Sequence, residues 1–181
     1  MLFVRESPQC RKWKNLKGST ALFCSTIGDG REMKESKDTK QNVESPSGGV
    51  IDVLLVDDHV ATREELRLLL SRHPGFSVVG VAGSGEEAVR KAKELKPRVV
   101  VMDIALPGIT GVEATRLIMV ELPQTAILAL SNYSGKGLVQ STQNAGAAGY
   151  VRKDRAFEEL IPAILSVAAG RQYFGKDVQE Q

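Results

Sequence analysis

Residues 50–171 are predicted to fold as a doubly wound parallel α/β sheet of five strands with helices on both faces. Three features of the sequence predict it. Short apolar, β-branched runs recur at 50–56, 76–81, 99–102, 125–130 and 150–151. Each is followed by a segment with helical apolar spacing, and such alternation implies a parallel sheet with right-handed crossovers. The longer runs are nearly continuous, which suits strands covered on both faces.

The first run, Val50 to Val56, stops at Asp57 and Asp58. Leu66, Leu69 and Leu70 then repeat at helical spacing, and Pro74-Gly75 ends that helix. Phe76 to Val81 is the second strand. Ser84, with Glu87 three residues on, is a capping box that opens a helix carrying Ala88, Val89, Ala92 and Leu95 on one face. Pro97 breaks it, and Val99 to Met102 is a third strand ending at Asp103. Thr110 and Glu113 form a second capping box, heading a helix that runs to about Glu121. Thr125 to Leu130 is the fourth strand and ends at Ser131, and a weaker helix follows over 136–145 among Gly135, Gly137 and Gly146. Tyr150 and Val151 mark a short fifth strand ending near Lys153. Phe157, Leu160, Ile161, Ile164, Leu165 and Ala168 define the last helix. Proline lacks an amide N–H and fits best in a first turn, so Pro162 sets the expected start near Glu158 or Glu159.

The flanking segments read differently. Residues 1–49 show no sustained helical or strand period and are expected to be a flexible or disordered tail, with 172–181 as a short C-terminal tail. Residues 1–50 carry a net charge of +3 and the remainder −1, so the overall +2 is too weak to indicate nucleic-acid binding. Cys10 and Cys24 have no nearby histidines and make neither a zinc site nor a disulfide framework; free thiols are expected. No apolar run approaches the roughly 18 residues that span a membrane. Lys12, Lys14 and Lys17 interrupt the N-terminal hydrophobic stretches, so a signal-peptide pattern is missing and a cytoplasmic location is expected.

Ligands of doubly wound sheets sit at the carboxyl ends of the strands, near the topological switch point. Those ends carry Asp57 and Asp58, Asp103, Ser131 and Lys153, each at or near the first polar residue after an apolar run. Three carboxylates brought together repel one another, and a hard divalent cation explains their convergence. Mg²⁺ takes one or two carboxylates together with waters and substrate phosphate. One carboxylate is then placed to attack phosphorus and form an acyl phosphate, while a lysine and a hydroxyl neutralise the transferring oxygens.

The runs VLLVDDH, VVVMDIALPGITGVEATRLI, LALS and AGAAGYVRKD resemble the response-regulator receiver family of two-component signalling. Within it they look most like the NarL/FixJ branch, in which Asp-Asp-His and Gly-Tyr-x-x-Lys-Asp are common. The resemblance covers about residues 51–170. It implies a flavodoxin-like fold with strand order 2-1-3-4-5. It further implies Asp103 as phosphoacceptor and Asp58 as direct Mg²⁺ ligand, with Asp57 acting through water and the Ala105 backbone carbonyl as another ligand. Lys153 matches the lysine that contacts the phosphoryl group, Ser131 the hydroxyl that moves toward it, and Tyr150 the aromatic that changes rotamer in step. The implied donor is a histidine kinase or a histidine phosphotransfer protein. The implied output is a face built from the fourth helix, fifth strand and last helix, which binds a partner or a second copy of the chain.

Asn132, beside the switch hydroxyl, departs from the small or apolar residue usual there and would crowd the phosphoryl group. Tyr133 is expected to shield the site and slow loss of phosphate. Ser131, Lys153 and Tyr150 also have ordinary uses, as turn former, solvated lysine and core aromatic. His59 reads as a residue on the rim of the site. Two other functions stay open. A Mg²⁺-dependent aspartyl phosphatase would carry a second aspartate two positions after its nucleophile, where this chain has Ala105. A pseudo-receiver would be a scaffold with an idle site. NarL/FixJ proteins generally continue into a helix-turn-helix domain; with 28 residues after Lys153, direct DNA binding by this chain is not expected.

Overall fold

A computed structural model describes residues 10–14, 20–24, 49–133 and 135–175. Within the segment expected to lack regular structure, β1 (Cys10–Lys14) and β2 (Thr20–Cys24) pair antiparallel, Cys10 opposite Cys24 and Lys14 opposite Thr20. Their sequences carry no alternating pattern, because the apolar residues of β2 are consecutive and lysines punctuate β1. The rest of that segment through residue 48, and the C-terminal residues 176–181, lie outside the described residues. The hairpin falls in a unit separate from the sheet domain.

The sheet strands are β3 (Ile51–Val56), β4 (Phe76–Ala82), β5 (Val99–Asp103), β6 (Ala126–Ser131), β7 (Gly149–Arg152) and β8 (Tyr173–Phe174). They lie in the order β4-β3-β5-β6-β7-β8 and every pairing is parallel. The order predicted for the first five strands holds, and the sheet has six strands rather than five. Tyr173 and Phe174, assigned from sequence to the C-terminal tail, form the sixth: Tyr173 N–H donates to the Ala148 carbonyl and Gly175 N–H to the Tyr150 carbonyl, both at 3.0 Å. A two-residue strand carries no periodic signal. The last helix returns the chain to the sheet edge, and the outer edge of β7 supplies backbone partners there.

The helices are α1 (Val60–Ser71), α2 (Gly85–Leu95), α3 (Gly111–Glu121), α4 (Lys136–Asn144) and α5 (Ala156–Ala168). Both capping residues act as expected, with Ser84 Oγ accepting from Glu87 N–H and Thr110 Oγ1 from Glu113 N–H, each at 3.2 Å. Helix α5 begins at Ala156, earlier than expected, after a single 3₁₀ turn over Lys153–Arg155. Pro162 therefore sits in the second turn. It lies on the exposed side of the helix, where water can bond the Glu158 carbonyl that loses its amide partner.

Alternation along the strands divides the core. Val53, Leu55, Val101, Leu130 and Val151 pack with Leu66 and Leu70 of α1 and Leu160 and Ile164 of α5. Leu54, Val56, Val100, Met102 and Ile127 face Ala88 and Ala92 of α2 and Ala114 and Ile118 of α3. Each fully buried Leu, Ile or Val contributes roughly 1.5–3 kcal/mol. These two layers fix β3 beside β5, and the chain changes winding direction between them. Their carboxyl ends therefore bound the crevice of the sheet.

Candidate functional site

Three strand ends use the same local device. Asp57 Oδ1 accepts the N–H of His59 at 2.9 Å, Asp103 Oδ1 that of Ala105 at 3.1 Å, and Ser131 Oγ that of Tyr133 at 3.1 Å. A short polar side chain that bonds the backbone two residues ahead turns the chain as the ladder ends. It also pins each of these oxygens in place. All three residues are 1% exposed.

The fourth group closes the cluster. Lys153, at the start of the 3₁₀ turn after β7, places Nζ 2.7 Å from Asp103 Oδ2 and 2.7 Å from Asp57 Oδ2. The Asp103 contact is an aligned hydrogen bond. The Asp57 contact is an ion pair without hydrogen-bond alignment, so Asp57 Oδ2 is buried without a directional donor. Burial pulls the Lys153 ammonium toward losing its proton, but Asp103 and Asp57 outweigh this and hold it above its ordinary value of 10.5. Asp58 is more exposed, and its Oδ1 lies 2.7 Å from His59 Nδ1. Asp57, Asp58 and His59 present ligand atoms all within 4.8 Å of one another.

Tyr150 is fully buried between the sheet and α4, and its hydroxyl donates to the Tyr133 carbonyl at 2.7 Å. Burial raises the phenol above its ordinary value of 10.0, against the hydrogen bond with Ser131 that lowers it. The peptide of Tyr133 thus bonds Ser131 through its N–H and Tyr150 through its carbonyl. The Tyr133 side chain is 69% exposed. Asp57, Asp103 and Lys153 are in direct contact, Ser131 and Tyr150 meet at Tyr133, and Ala105 meets Asp103 through its N–H.

Sequence reasoning missed three supporting residues. Arg63 Nη1 donates to the Asp57 carbonyl at 2.5 Å. Glu86 Oε1 accepts the N–H of Ile109 at 3.1 Å, tying α2 to the loop after Asp103. Gly111 approaches the carbonyl of Asp103 so closely that a Cβ would lie 2.0 Å from it. The glycine was visible as part of a capping box, but nothing in the sequence marked its approach to β5.

This fold, a parallel sheet with helices on both faces, is that of a receiver module. The sequence model of the response regulator receiver domain matches residues 53–165, and the chain belongs to that family. Response regulator GacA of Pseudomonas protegens is 40% identical over 132 residues, which are 73% of this chain and 62% of that protein. UvrY of Escherichia coli K12 is likewise 40% identical over 132 residues, 61% of its length. The chain thus spans less than two thirds of these relatives. Among solved structures, a LuxR-family two-component response regulator from Aurantimonas sp. SI85-9A1 is 39% identical with a TM-score of 0.70, covering 73% of this chain and 94% of that one. The signal receiver domain of NarL from Mycobacterium tuberculosis is 31% identical with a TM-score of 0.65, covering 68% and 100%. The relatives are response regulators, signalling modules rather than enzymes in the ordinary sense. Among the described residues no helix is long and apolar enough to cross a membrane.

Proposed function

We propose that Asp103 accepts a phosphoryl group from a histidine kinase or a histidine phosphotransfer protein, with Mg²⁺, and that this switches a protein-interaction face. The observation that carries the reading is Lys153 Nζ at 2.7 Å from both Asp103 and Asp57, with both carboxylates buried. A carboxylate oxygen of Asp103 attacks phosphorus as the P–N bond to the donor imidazole breaks, giving an acyl phosphate and a free imidazole. Lys153 neutralises the transferred oxygens, and Ser131 moves to donate to one of them.

The donor set suits Mg²⁺. Asp57, Asp58 and Asp103 are hard oxygen ligands, and the buried Asp57 Oδ2 has the Lys153 ammonium beside it without an aligned hydrogen bond. Asp58 and Asp103 would bind directly, Asp57 through water, and the Ala105 carbonyl would complete the protein ligands. Bound there, Mg²⁺ supplies charge neutralisation for the attacking carboxylate and the incoming phosphoryl oxygens.

Displacement of Ser131 breaks its bond to the Tyr133 N–H and frees the peptide that also anchors Tyr150. The phosphorylated state would thereby repopulate the face formed by α4, β7 and α5, for a partner protein or a second copy of the chain. The test is transfer from a phosphohistidine donor to the chain, followed by hydroxylamine. A hydroxylamine-labile adduct that requires Asp103 is expected; a stable adduct, or one retained in Asp103→Asn, overturns the reading.

A further inference from the structure

The outer edge of β7 belongs to the face proposed to meet a partner, and the chain itself covers it. Tyr173 and Phe174 of β8 lie in register with Gly149 and Tyr150. The N–H groups of Tyr173 and Gly175 donate to the carbonyls of Ala148 and Tyr150, both at 3.0 Å. The approach is close, since a Cβ on Gly149 would lie 2.6 Å from the Tyr173 carbonyl oxygen. The Tyr173 hydroxyl donates to Glu159 Oε2 of α5 at 3.4 Å. Phe174 packs on the buried cluster of Ile104, Ala129 and Tyr150, against which Leu138 and Val139 of α4 also pack. β8 is therefore tied to β7 by backbone, to α5 by a hydroxyl and to the Tyr150 cluster by an aromatic ring.

A two-residue strand is shorter than the usual minimum of about three, so its seating depends on what it rests on. Its neighbour in register is Tyr150, whose hydroxyl bonds the Tyr133 carbonyl, and the Tyr133 N–H bonds Ser131 Oγ. A continuous run of contacts leads from the switch hydroxyl through Tyr133 and Tyr150 to β8. We propose that β8 is an intramolecular strap on the output face, seated while Tyr150 keeps this position and released when Asp103 carries a phosphoryl group. The inference rests on the phosphorylation proposed above and names the segment that it moves. Release withdraws Phe174 from the Tyr150 cluster and uncovers the Ala148 and Tyr150 carbonyls on the sheet edge. The coupling is reciprocal, so a chain whose strap is unseated binds a phosphoryl analogue more tightly.

Amide exchange followed by NMR on the full chain tests this, with Mg²⁺ and beryllofluoride as a stable analogue of the phosphoryl group. In the free chain the Tyr173 and Gly175 amides should exchange slowly. With the analogue bound they should exchange at least about tenfold faster, while the amides of β5 keep their protection. Phe174→Ala removes the ring and Tyr173→Pro removes a donor, and both should expose these amides without the analogue. Both should also bind beryllofluoride several-fold more tightly by ¹⁹F NMR. Unchanged exchange at Tyr173 and Gly175 with the analogue bound overturns the inference and leaves the phosphorylation reading intact. So does unchanged affinity in variants that keep β5 protected but have lost the strap. A parent that does not bind the analogue, or Asp103→Asn that binds it equally well, overturns both.

Discussion

One ammonium group, Lys153 Nζ, holds two carboxylates that are almost fully out of water. Removing one partner of such a cluster costs far more than the net worth of the contact, because the remaining charges stay buried. Lys153→Met should therefore lose about 2–3 kcal/mol in urea titration without divalent ion, and Mg²⁺ should restore part of it. Lys153 and Tyr150 both hold their protons more tightly in the folded chain than in the unfolded one. Their stabilisation is complete below about pH 10 and is lost as pH rises through the raised folded values, so unfolding free energy should hold level up to about pH 10 and fall above it. That fall should be shallower in Lys153→Met. Tyr133→Ala should speed loss of phosphate several-fold by opening the site to water; an unchanged decay of the phosphorylated species would remove its shielding role. The acceptor-like residues were legible because Asp57, Asp103 and Ser131 each interrupt an apolar run at a strand end. Arg63 and Glu86 were not, since a solvated-looking charge on a helix carries no mark of the backbone group it will reach.

At the scale of elements, the alternation of apolar runs and helical periods placed all five major strands and all five helices to within a few residues. The misses share a cause. The two-residue strand β8, the 3₁₀ turn before α5 and the bulge where Val53 pairs with Val78 but Leu54 with Gly80 are set by neighbours rather than by their own sequence. Pro162 misled for a related reason: an exposed face tolerates the missing bond that a buried one would not. The capping boxes read correctly because their chemistry is local. Ser84→Ala and Thr110→Ala should each cost about 1 kcal/mol. Gly111 is the opposite case, a residue whose importance is wholly tertiary. Gly111→Ala drives a Cβ into the Asp103 carbonyl and should cost about 3 kcal/mol and disorder the loop carrying Ala105. Gly75→Ala, where a Cβ meets nothing within 4 Å, should stay within about 0.5 kcal/mol in the same denaturation assay.

For the whole molecule, the parallel sheet gathers residues from positions 57, 103, 131 and 153 at one edge, and their chemistry is complementary only there. A cation that binds this edge only in the folded state must raise global stability. At a hundred times its dissociation constant Mg²⁺ should add about 2.7 kcal/mol, seen as a higher unfolding midpoint, and Asp58→Asn should abolish most of that gain. The relatives' greater length means that output beyond the receiver lies outside what the sheet determines. The central claim concerns Asp103, and intact mass after incubation with phosphoramidate and Mg²⁺ tests it most directly. One added phosphoryl group is expected on the parent chain, absent from Asp103→Asn and absent when Mg²⁺ is withheld. No adduct on a folded, Mg²⁺-bound parent, or an equal adduct on Asp103→Asn, would contradict it.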